Sequence, residues 1–226
     1  MSRLLELFSG TGSVGKVAKE MGYTVLSLDR DMAADITMDI KNWDYTKLQP
    51  RIFDVIWASP PCTEYSRAKS IGIRDIEGSN EIVKLTLDII NYFQPKYWIL
   101  ENPQTGLLKE QEMMTWIPYN DIDYCKYGLP YRKRTRLWNN IDSWHPKPLC
   151  KRDCDSMNET RTRHIQEAQR GGSTAERRQT QRTFSTSDLY KVPSELIEEI
   201  LTSCDFEADD ASDVEDDETD DVDAWD

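Results

Sequence analysis

A cysteine follows two prolines at the end of an apolar segment. Residues 53–58, FDVIWA, are β-branched and aromatic and are bounded by turn residues, a pattern that predicts a buried strand. Pro60 and Pro61 cannot donate to a sheet ladder, so they end the strand and stiffen the turn after it. Cys62 then stands at the carboxyl end of a strand, where open α/β sheets bind their ligands. Its thiol either contacts a ligand or is a small buried hydrophobe, and this segment alone favours neither interpretation.

A glycine-rich turn is the second candidate for a binding site. FSGTGSVG, residues 8–15, follows the first apolar strand, and its glycines allow a tight turn and a close approach of ligand to backbone beside a helix N-terminus. Asp29 ends the next predicted strand, where a carboxylate commonly holds ribose hydroxyls. Asp39 ends the third, in a position to accept a hydrogen bond from an adenine amino group. Each acid alone is equally typical of a solvated loop, but the three features together favour an adenosine-containing ligand.

Polar groups also follow two later strands. Glu101 belongs to the sequence ENP after KYWIL, where it is either a group on the ligand edge of the sheet or a helix cap. The sequence RKRTRLW, residues 132–138, places Arg134 and Arg136 two positions apart. On a strand these two side chains share one face, while Leu137 packs behind them.

Alternating strand and helix patterns can position these groups. Strands are predicted at LLELFS, YTVLSLD, ADITMDI, FDVIWA, KYWILEN, IDYCKY and TRLWNN. Helices are predicted at SVGKVAKEM, 80–93, 107–116 and SELIEEIL. The alternation predicts an α/β fold with a doubly wound, mostly parallel sheet. Only five of the 32 residues in 151–182 are apolar, so a small irregular basic lobe without a core of its own is expected there.

In this order, LELFSGTGSVG, SPPC, ENP and RKRTRLW resemble the DNA cytosine-5 methyltransferase family, over residues 3–138. The resemblance implies a Rossmann-like class I methyltransferase sheet, S-adenosylmethionine as cofactor and DNA as partner. It implies that Cys62 adds to C6 of a flipped-out cytosine, that Glu101 holds and protonates the N3 side of the ring, and that C5 takes the methyl group. Arg136 would lie near the cysteine and favour its thiolate, and Arg134 would support the loop.

Further positions match the family's binding residues. The cofactor-binding matches are Phe8, Gly10, Thr11, Gly12, Asp29, Asp39, Ile40 and Pro61. The residues expected to contact nucleic acid are Ser66, which matches the family's serine near a DNA phosphate, and Arg132 and Lys133. Three positions depart from the family: Arg132 replaces the usual Gln, Pro103 the usual Val, and Leu189-Tyr190 a Gly-Asn pair. Residues 139–187 alone fill the interval that usually holds a large target-recognition domain, so sequence specificity is expected to be short or supplied by a partner.

A metal site is a separate prediction that the resemblance does not imply. Cys150 and Cys154 form a C-x₃-C pair, His164 follows ten residues later, and Cys125 lies upstream. This set can bind one zinc ion as Cys₃His, and a lobe without a core needs a metal or a bound partner to order it. The alternative is four unconnected residues, with Cys125 buried in its own strand.

Charge and cysteine content limit the class of protein. The net charge is −13, but 13 acids lie in 205–226, and the remaining body has 28 basic and 28 acidic residues. Residues 125–191 carry 15 basic against 7 acidic residues, which suits phosphate contact. Five cysteines at irregular spacing indicate a reducing compartment. With no signal region or membrane-length apolar segment, we expect an intracellular monomer with access to DNA and no membrane association.

The expected organisation has three parts. Residues 1–145 with 188–204 form the catalytic domain, 146–187 the recognition lobe, and 205–226 a disordered acidic tail suited to docking a protein partner. A tRNA-type cytosine C5 methyltransferase is an alternative, since one branch of the family methylates tRNA and also lacks a large recognition domain. A catalytically idle nucleic-acid-binding or partner-binding protein is a third interpretation.

Overall fold

The computed structural model describes residues 1–69, 71–166 and 186–206. The strands are β1 (Arg3–Leu7), β2 (Thr24–Asp29), β3 (Ile36–Thr37), β4 (Val55–Ala58), β5 (Tyr97–Pro103), β6 (Tyr119–Asp123) and β7 (Arg134–Asn139). The α-helices are α1 (Ser13–Glu20), α2 (Ile76–Phe93), α3 (Thr186–Tyr190) and α4 (Ser194–Thr202).

The strands form one sheet in the order β3-β2-β1-β4-β5-β7-β6. Neighbouring strands from β3 to β5 are parallel, whereas β7 is antiparallel to both β5 and β6. The strand order reverses between β1 and β4, and such a reversal opens a crevice at the carboxyl ends of the strands. The predicted doubly wound, mostly parallel sheet is confirmed.

Helices bury both faces of the central strands. Leu4 and Trp57 pack with α1 and α4 on one face, and Leu5 and Ile56 pack with α2 on the other. Consecutive residues of a strand point to opposite faces, which explains why these apolar segments are continuous rather than alternating. Full burial of such a side chain contributes roughly 1.5–3 kcal/mol. The carboxyl ends of β1 and β4 therefore stand on a rigid support.

The helix predicted over 107–116 is wrong. Two short 3₁₀ turns, Leu108–Glu110 and Glu112–Met114, occupy this stretch, and Gln111 separates them with extended backbone (φ −77°, ψ 138°). The apolar residues come as adjacent pairs in the sequence rather than at helical spacing. Only one member of each pair, Leu108 or Met114, is buried.

Three other boundaries differ from the sequence pattern. β6 ends at Asp123, and Tyr124–Tyr127 is a 3₁₀ turn closed by Gly128 at φ 84°, so the expected strand position of Cys125 is wrong. Only Ile36–Thr37 of ADITMDI pairs as a strand. α2 begins at Ile76, before the predicted residue 80, because the Asp75 carboxylate accepts the Gly78 N–H at 2.8 Å and caps the helix.

The predicted lobe and tail lie partly outside the described residues, which leave out 167–185 and 207–226. At the start of the expected tail, the Phe206 ring packs edge-on against Tyr23 and Tyr97, at centroid distances of 6.0 and 5.6 Å. Residues 205–206 are therefore attached to the body. Across the described part of the chain, every helix is too short or too polar to cross a membrane.

A buried carboxylate holds the turn between β1 and α1. Glu6 is 3% exposed, and its Oε2 accepts the Gly15 N–H at 3.0 Å. A Cβ at Gly15 would lie 2.5 Å from that oxygen, so a larger residue there would have to displace the Glu6 carboxylate. Burial raises the pKa of Glu6 to about 7, because removal from water penalises the charged form.

This raised pKa predicts a loss of stability as the pH rises. The folded state holds the proton that the unfolded state releases above pH 4.5, so Glu6 contributes most at low pH and loses that contribution by about pH 7. Glu6→Gln should match wild type at pH 4.5 and exceed its free energy of unfolding by about 3 kcal/mol at pH 8. Urea unfolding at both pH values measures the difference. Equal pH slopes for the two proteins would contradict the prediction, and exposed Glu20→Gln is the control.

Candidate active site

One open cleft runs along the carboxyl edge of the sheet. Its volume is about 1410 Å³, and residues from the glycine turn, the Pro60-Pro61-Cys62 loop, the end of β5 and the segment before β7 line it. Pockets for a single small ligand commonly enclose roughly 300–1,000 Å³. The cleft therefore has room for a cofactor and a nucleotide side by side.

The glycine turn adopts left-handed backbone at alternate positions. Phe8, Gly10 and Gly12 have φ values of 60°, 53° and 67°, and Gly12 directly precedes α1. Phe8 and Gly10 line the cleft, while Thr11 and Gly12 complete the turn behind it. The buried hydroxyls of Ser9 and Thr11 have no hydrogen-bond partner among the described residues. A turn with spare hydroxyls beside a helix N-terminus suits a polar ligand.

Asp29 organises the next loop. One carboxylate oxygen accepts the Gly10 N–H at 2.8 Å, and the other accepts the N–H groups of Asp31 and Met32, each at 2.8 Å. An ionised carboxylate has about four acceptor positions, so three bonds leave room for one ribose hydroxyl. The carboxylate thus joins the glycine turn to the end of β2.

The remaining predicted cofactor residues line the same part of the cleft. Asp39 has one oxygen bound to the Lys41 N–H at 2.9 Å, and Ile40 beside it is buried. Pro61, on the cysteine loop, lines the same cleft. Their binding to a cofactor stays a prediction.

The loop that carries Cys62 is tied to the neighbouring strand end. The fully buried Asn102 donates from Nδ2 to the Pro60 carbonyl at 3.0 Å, and the Ser59 N–H donates to the Leu7 carbonyl at 3.1 Å. Through these two bonds, β1 and β5 fix the position of the prolines between them. Cys62 itself is half-buried and lines the cleft.

Glu101 lies in the cleft with two partners. Its Oε1 accepts the Tyr124 hydroxyl at 3.0 Å and lies 3.4 Å from the Lys133 Nζ. The Lys133 ammonium stands 4.8 Å from the centre of the Tyr124 ring and also donates to the Leu189 carbonyl at 3.1 Å. A buried carboxylate with a cation and a hydroxyl on one oxygen keeps the other oxygen available to a ligand.

The surroundings of the Cys62 thiol raise its pKa above the ordinary value. Burial raises its pKa, the negative charge of Glu101 raises it further, and the positive charge of Lys133 opposes both. Lys133 is therefore the cation that acts on the cysteine.

Each arginine of β7 has an acid of antiparallel β6 opposite it. Arg136 pairs bidentately with Asp121 at 2.7 and 2.9 Å, stacks 3.5 Å from the Tyr119 ring centre, and is not part of the cleft lining. Arg134 lines the cleft and pairs bidentately with Asp123. The roles expected for Arg134 in supporting the loop and for Arg136 beside Cys62 stay predictions.

The residues expected to contact nucleic acid also lie on the cleft. Ser66, Arg132 and Lys133 all line it, and the Arg132 Nε donates to Asp123 at 3.0 Å. The loop of Ser66 is held from inside by Arg74, which donates to the carbonyls of Glu64 and Ser66.

The four predicted metal ligands come together. The ligand atoms of Cys125, Cys150, Cys154 and His164 all lie within 4.8 Å of one another, and the three cysteines are buried and free of disulfides. With Met157 the cysteines form a small cluster of their own. The spacing of these residues in the sequence did not predict that the cluster lies beside the arginine segment. Asp123, which binds Arg132 and Arg134, also accepts the Cys150 N–H at 3.0 Å.

Several residues at the site carried no clear sequence signal. Tyr124 belongs to no recognisable sequence motif. Its hydroxyl reaches Glu101 because the chain turns directly after β6. Asp121 and Asp123 share the spacing of Arg134 and Arg136, and this matched pattern of acids and arginines is the one signal that predicts their pairing.

Comparison with known proteins gives one family. The family model for C-5 cytosine-specific DNA methylase matches residues 3–132. A "Probable DNA (cytosine-5)-methyltransferase" of Frog virus 3 (isolate Goorha) is 38% identical over 222 residues, covering 89% of this chain and 100% of the relative.

Two solved structures are similar at low identity. A protein described as a prophage-encoded DNA modification methyltransferase (E. coli) has a TM-score of 0.49 and 16% identity over 66% of this chain and 52% of its own. The Entamoeba histolytica methyltransferase EhMeth has a TM-score of 0.49 and 17% identity over 66% and 56%. The chain thus spans about half the length of these two structures. On the family model and the viral relative, the chain belongs to the C-5 cytosine-specific DNA methylase family.

Proposed function

We propose that the protein methylates C5 of cytosine in DNA through a covalent adduct on Cys62. The observation that carries this proposal is the placement of Cys62, Glu101 and the glycine turn around one cleft. Family membership favours DNA as the substrate, and the cleft's basic margin suits a phosphate backbone.

The chemistry needs the thiol and the carboxylate together. Cytosine C5 is a poor nucleophile until the Cys62 sulfur bonds to C6 and the ring electrons move toward N3 and C5. Glu101 holds and protonates the N3 side, which makes that shift favourable. S-adenosylmethionine, when bound, supplies the electrophilic methyl group to C5. Loss of the C5 proton to a base then restores the C5–C6 double bond, and the C6–S bond breaks to release Cys62.

The turn residues are proposed to hold that cofactor. Asp29 would accept a ribose hydroxyl and Asp39 an adenine amino group, while Ile40 and Phe8 would flank the ring. The spare acceptor position on Asp29 and the unpartnered Ser9 and Thr11 hydroxyls support the fit. A duplex target must leave its stack to reach Cys62, at a cost of roughly a few kcal/mol.

Removal of the thiol tests the covalent step. Cys62→Ala should lower methyl transfer by more than about 10³-fold while S-adenosylhomocysteine binding stays within about twofold, because the nucleophile is lost and the cofactor turn is intact. Nucleoside mass spectrometry on DNA and RNA incubated with labelled cofactor measures both product and substrate class. Near-normal turnover in this variant would rule out the mechanism, and label on RNA alone would favour the RNA alternative. Cys204→Ala, remote from the cleft, is the control.

Lys133 is proposed as the charge that positions Glu101 and favours the Cys62 thiolate. Its removal takes away the interaction that lowers the pKa of Cys62, so the limb where the rate rises with pH should move to higher pH. Lys133→Met should slow the reaction at neutral pH by roughly 10- to 100-fold, and Lys133→Arg should restore most of the rate. Pre-steady-state methyl transfer across pH measures the shift. Arg136→Met is the discriminating variant: if it moves the limb and Lys133→Met does not, the assignment is wrong.

A structural zinc ion is proposed at Cys125, Cys150, Cys154 and His164. Ligands 2.0–2.3 Å from a tetrahedral centre lie about 3.5–3.8 Å apart, and His164 Nε2 lies 3.6 Å from Cys150 Sγ. Three thiols and one imidazole make a soft, closed donor set that favours zinc and leaves no position for a catalytic water.

Metal content tests this site. Protein purified without chelator should contain about one zinc per chain, and Cys150→Ser should contain much less, because one thiolate ligand is lost. Elemental analysis measures the ratio, with Cys204→Ser as the cysteine control. A zinc content well under one per chain that Cys150→Ser leaves unchanged would contradict the proposal.

A further inference from the structure

A short hairpin extends from the cysteine cluster. Backbone bonds close it, from the Ile165 N–H to the Ser156 carbonyl at 2.8 Å and from the Asn158 N–H to the Arg163 carbonyl at 2.9 Å. At its tip the Asn158 carboxamide oxygen accepts the Thr162 N–H at 2.9 Å. The segment 150–166 is called the metal hairpin below, and its tip has a defined shape despite its polar composition.

The metal hairpin forms one wall of the active-site cleft. Arg152, Thr162, Arg163 and Gln166 line the same cleft as Cys62. Arg152 and Arg163 are exposed, and neither has an ion pair with any residue in the described ranges. Arg132, Arg134 and Arg136, in contrast, each have a carboxylate partner. The two hairpin arginines therefore bring uncompensated positive charge to the entrance of the site.

Several connections attach the hairpin to the active-site segment, among them the Gln166 N–H, which donates to the Pro130 carbonyl at 3.3 Å. The Ser156 hydroxyl donates to the Leu129 carbonyl at 2.8 Å, just before the arginine segment. Asp123, whose side chain is fully buried, accepts the Cys150 N–H on one side and Arg132 and Arg134 on the other. The carboxylate thus joins the cluster to the cleft.

The hairpin has almost no core to hold it against the body. Among the described residues, its buried apolar cluster consists of Cys150, Cys154 and Met157 with Cys125 of the neighbouring turn, so ordering of the polar residues depends on this cluster and on hydrogen bonds to Leu129 and Pro130. A metal that fixes the cluster also fixes where Arg152 and Arg163 stand.

We propose that the metal hairpin binds the DNA backbone beside the target base, with Arg152 and Arg163 contacting phosphates. Metal binding then raises the affinity for DNA but does not change the affinity for cofactor. This inference rests on the proposed DNA methylation and on the proposed zinc ion. Arginines without a carboxylate partner at the edge of a cleft suit phosphates, which position a duplex without reading its sequence. The short lobe would in this way take over the anchoring part of a large recognition domain.

The salt dependence of DNA binding tests the contacts. For a mixed-sequence, cytosine-containing duplex of about 20 base pairs, the slope of log K against log salt should fall by about 0.9 per lost phosphate contact, hence by about two in Arg152→Gln/Arg163→Gln. Affinity at about 50 mM salt should drop at least tenfold. The control Lys47→Gln/Arg51→Gln removes the same charge from exposed sites outside the cleft lining. It should keep a steeper salt slope and a higher DNA affinity than Arg152→Gln/Arg163→Gln. Retention of about one zinc per chain in the hairpin variant shows that the lobe is intact.

The metal is tested on the same duplex. Zinc-stripped protein should lose at least as much DNA affinity as the double variant, while S-adenosylhomocysteine binding stays within about twofold. A wild-type salt slope in Arg152→Gln/Arg163→Gln, unchanged DNA affinity after zinc removal, or the same losses on RNA but not on DNA would each overturn the inference. Wild-type protein that binds DNA in this pattern but transfers no methyl group would instead overturn the proposed function, so the two failures are distinguishable.

Discussion

The Asp123 carboxylate is buried where β6 ends, with Arg132, Arg134 and the Cys150 N–H as its donors. A buried charge is stable only when it is paired, and removal of one partner from such an arrangement costs roughly 3–5 kcal/mol. Asp123 thereby fixes the turn into Tyr124, the start of β7 and the backbone of Cys150 in the cysteine cluster. The position of Lys133 between Arg132 and Arg134 follows from the same pairing, since its two neighbours are held toward Asp123.

That pairing distributes charge unequally around the cleft. Arg134 and Arg136 are neutralised by the acids opposite them, so Lys133 is left to act on Glu101 and Cys62. Lysine carries a compact ammonium whose position depends on few contacts, here the Tyr124 ring and the Leu189 carbonyl. Leu189 lies in α3, so the position of the Lys133 ammonium depends on a segment far along the chain from Glu101.

The parallel half of the sheet has a different task. β1, β4 and β5 are buried on both faces, and their carboxyl ends hold the glycine turn, the cysteine loop and Glu101 at fixed separations. The Asn102 amide also restrains the cysteine loop, because it donates a hydrogen bond to the Pro60 carbonyl at 3.0 Å. We therefore expect cofactor binding to rely on a preformed edge, whereas the proposed DNA-binding side relies on polar segments held by charges and by the cysteine cluster.

The sequence by itself predicted the parallel sheet and the segments that line the cleft. Continuous apolar strands, the prolines before Cys62 and the glycines after Leu7 are local features, and their effects follow from backbone chemistry and from strand ends that must meet at one edge. The cysteine and histidine spacing likewise predicted a cluster that the fold brings together. Only the tertiary structure decided which cation faces Cys62, because the motif holds three arginines and one lysine whose directions depend on acids in another strand. It also decided that 107–116 is not a helix and that Cys125 lies on a turn. In 107–116 the fold buries only one member of each apolar pair, and at Cys125 it brings the thiol to Cys150 and Cys154, so both outcomes depend on which distant residues lie beside the segment.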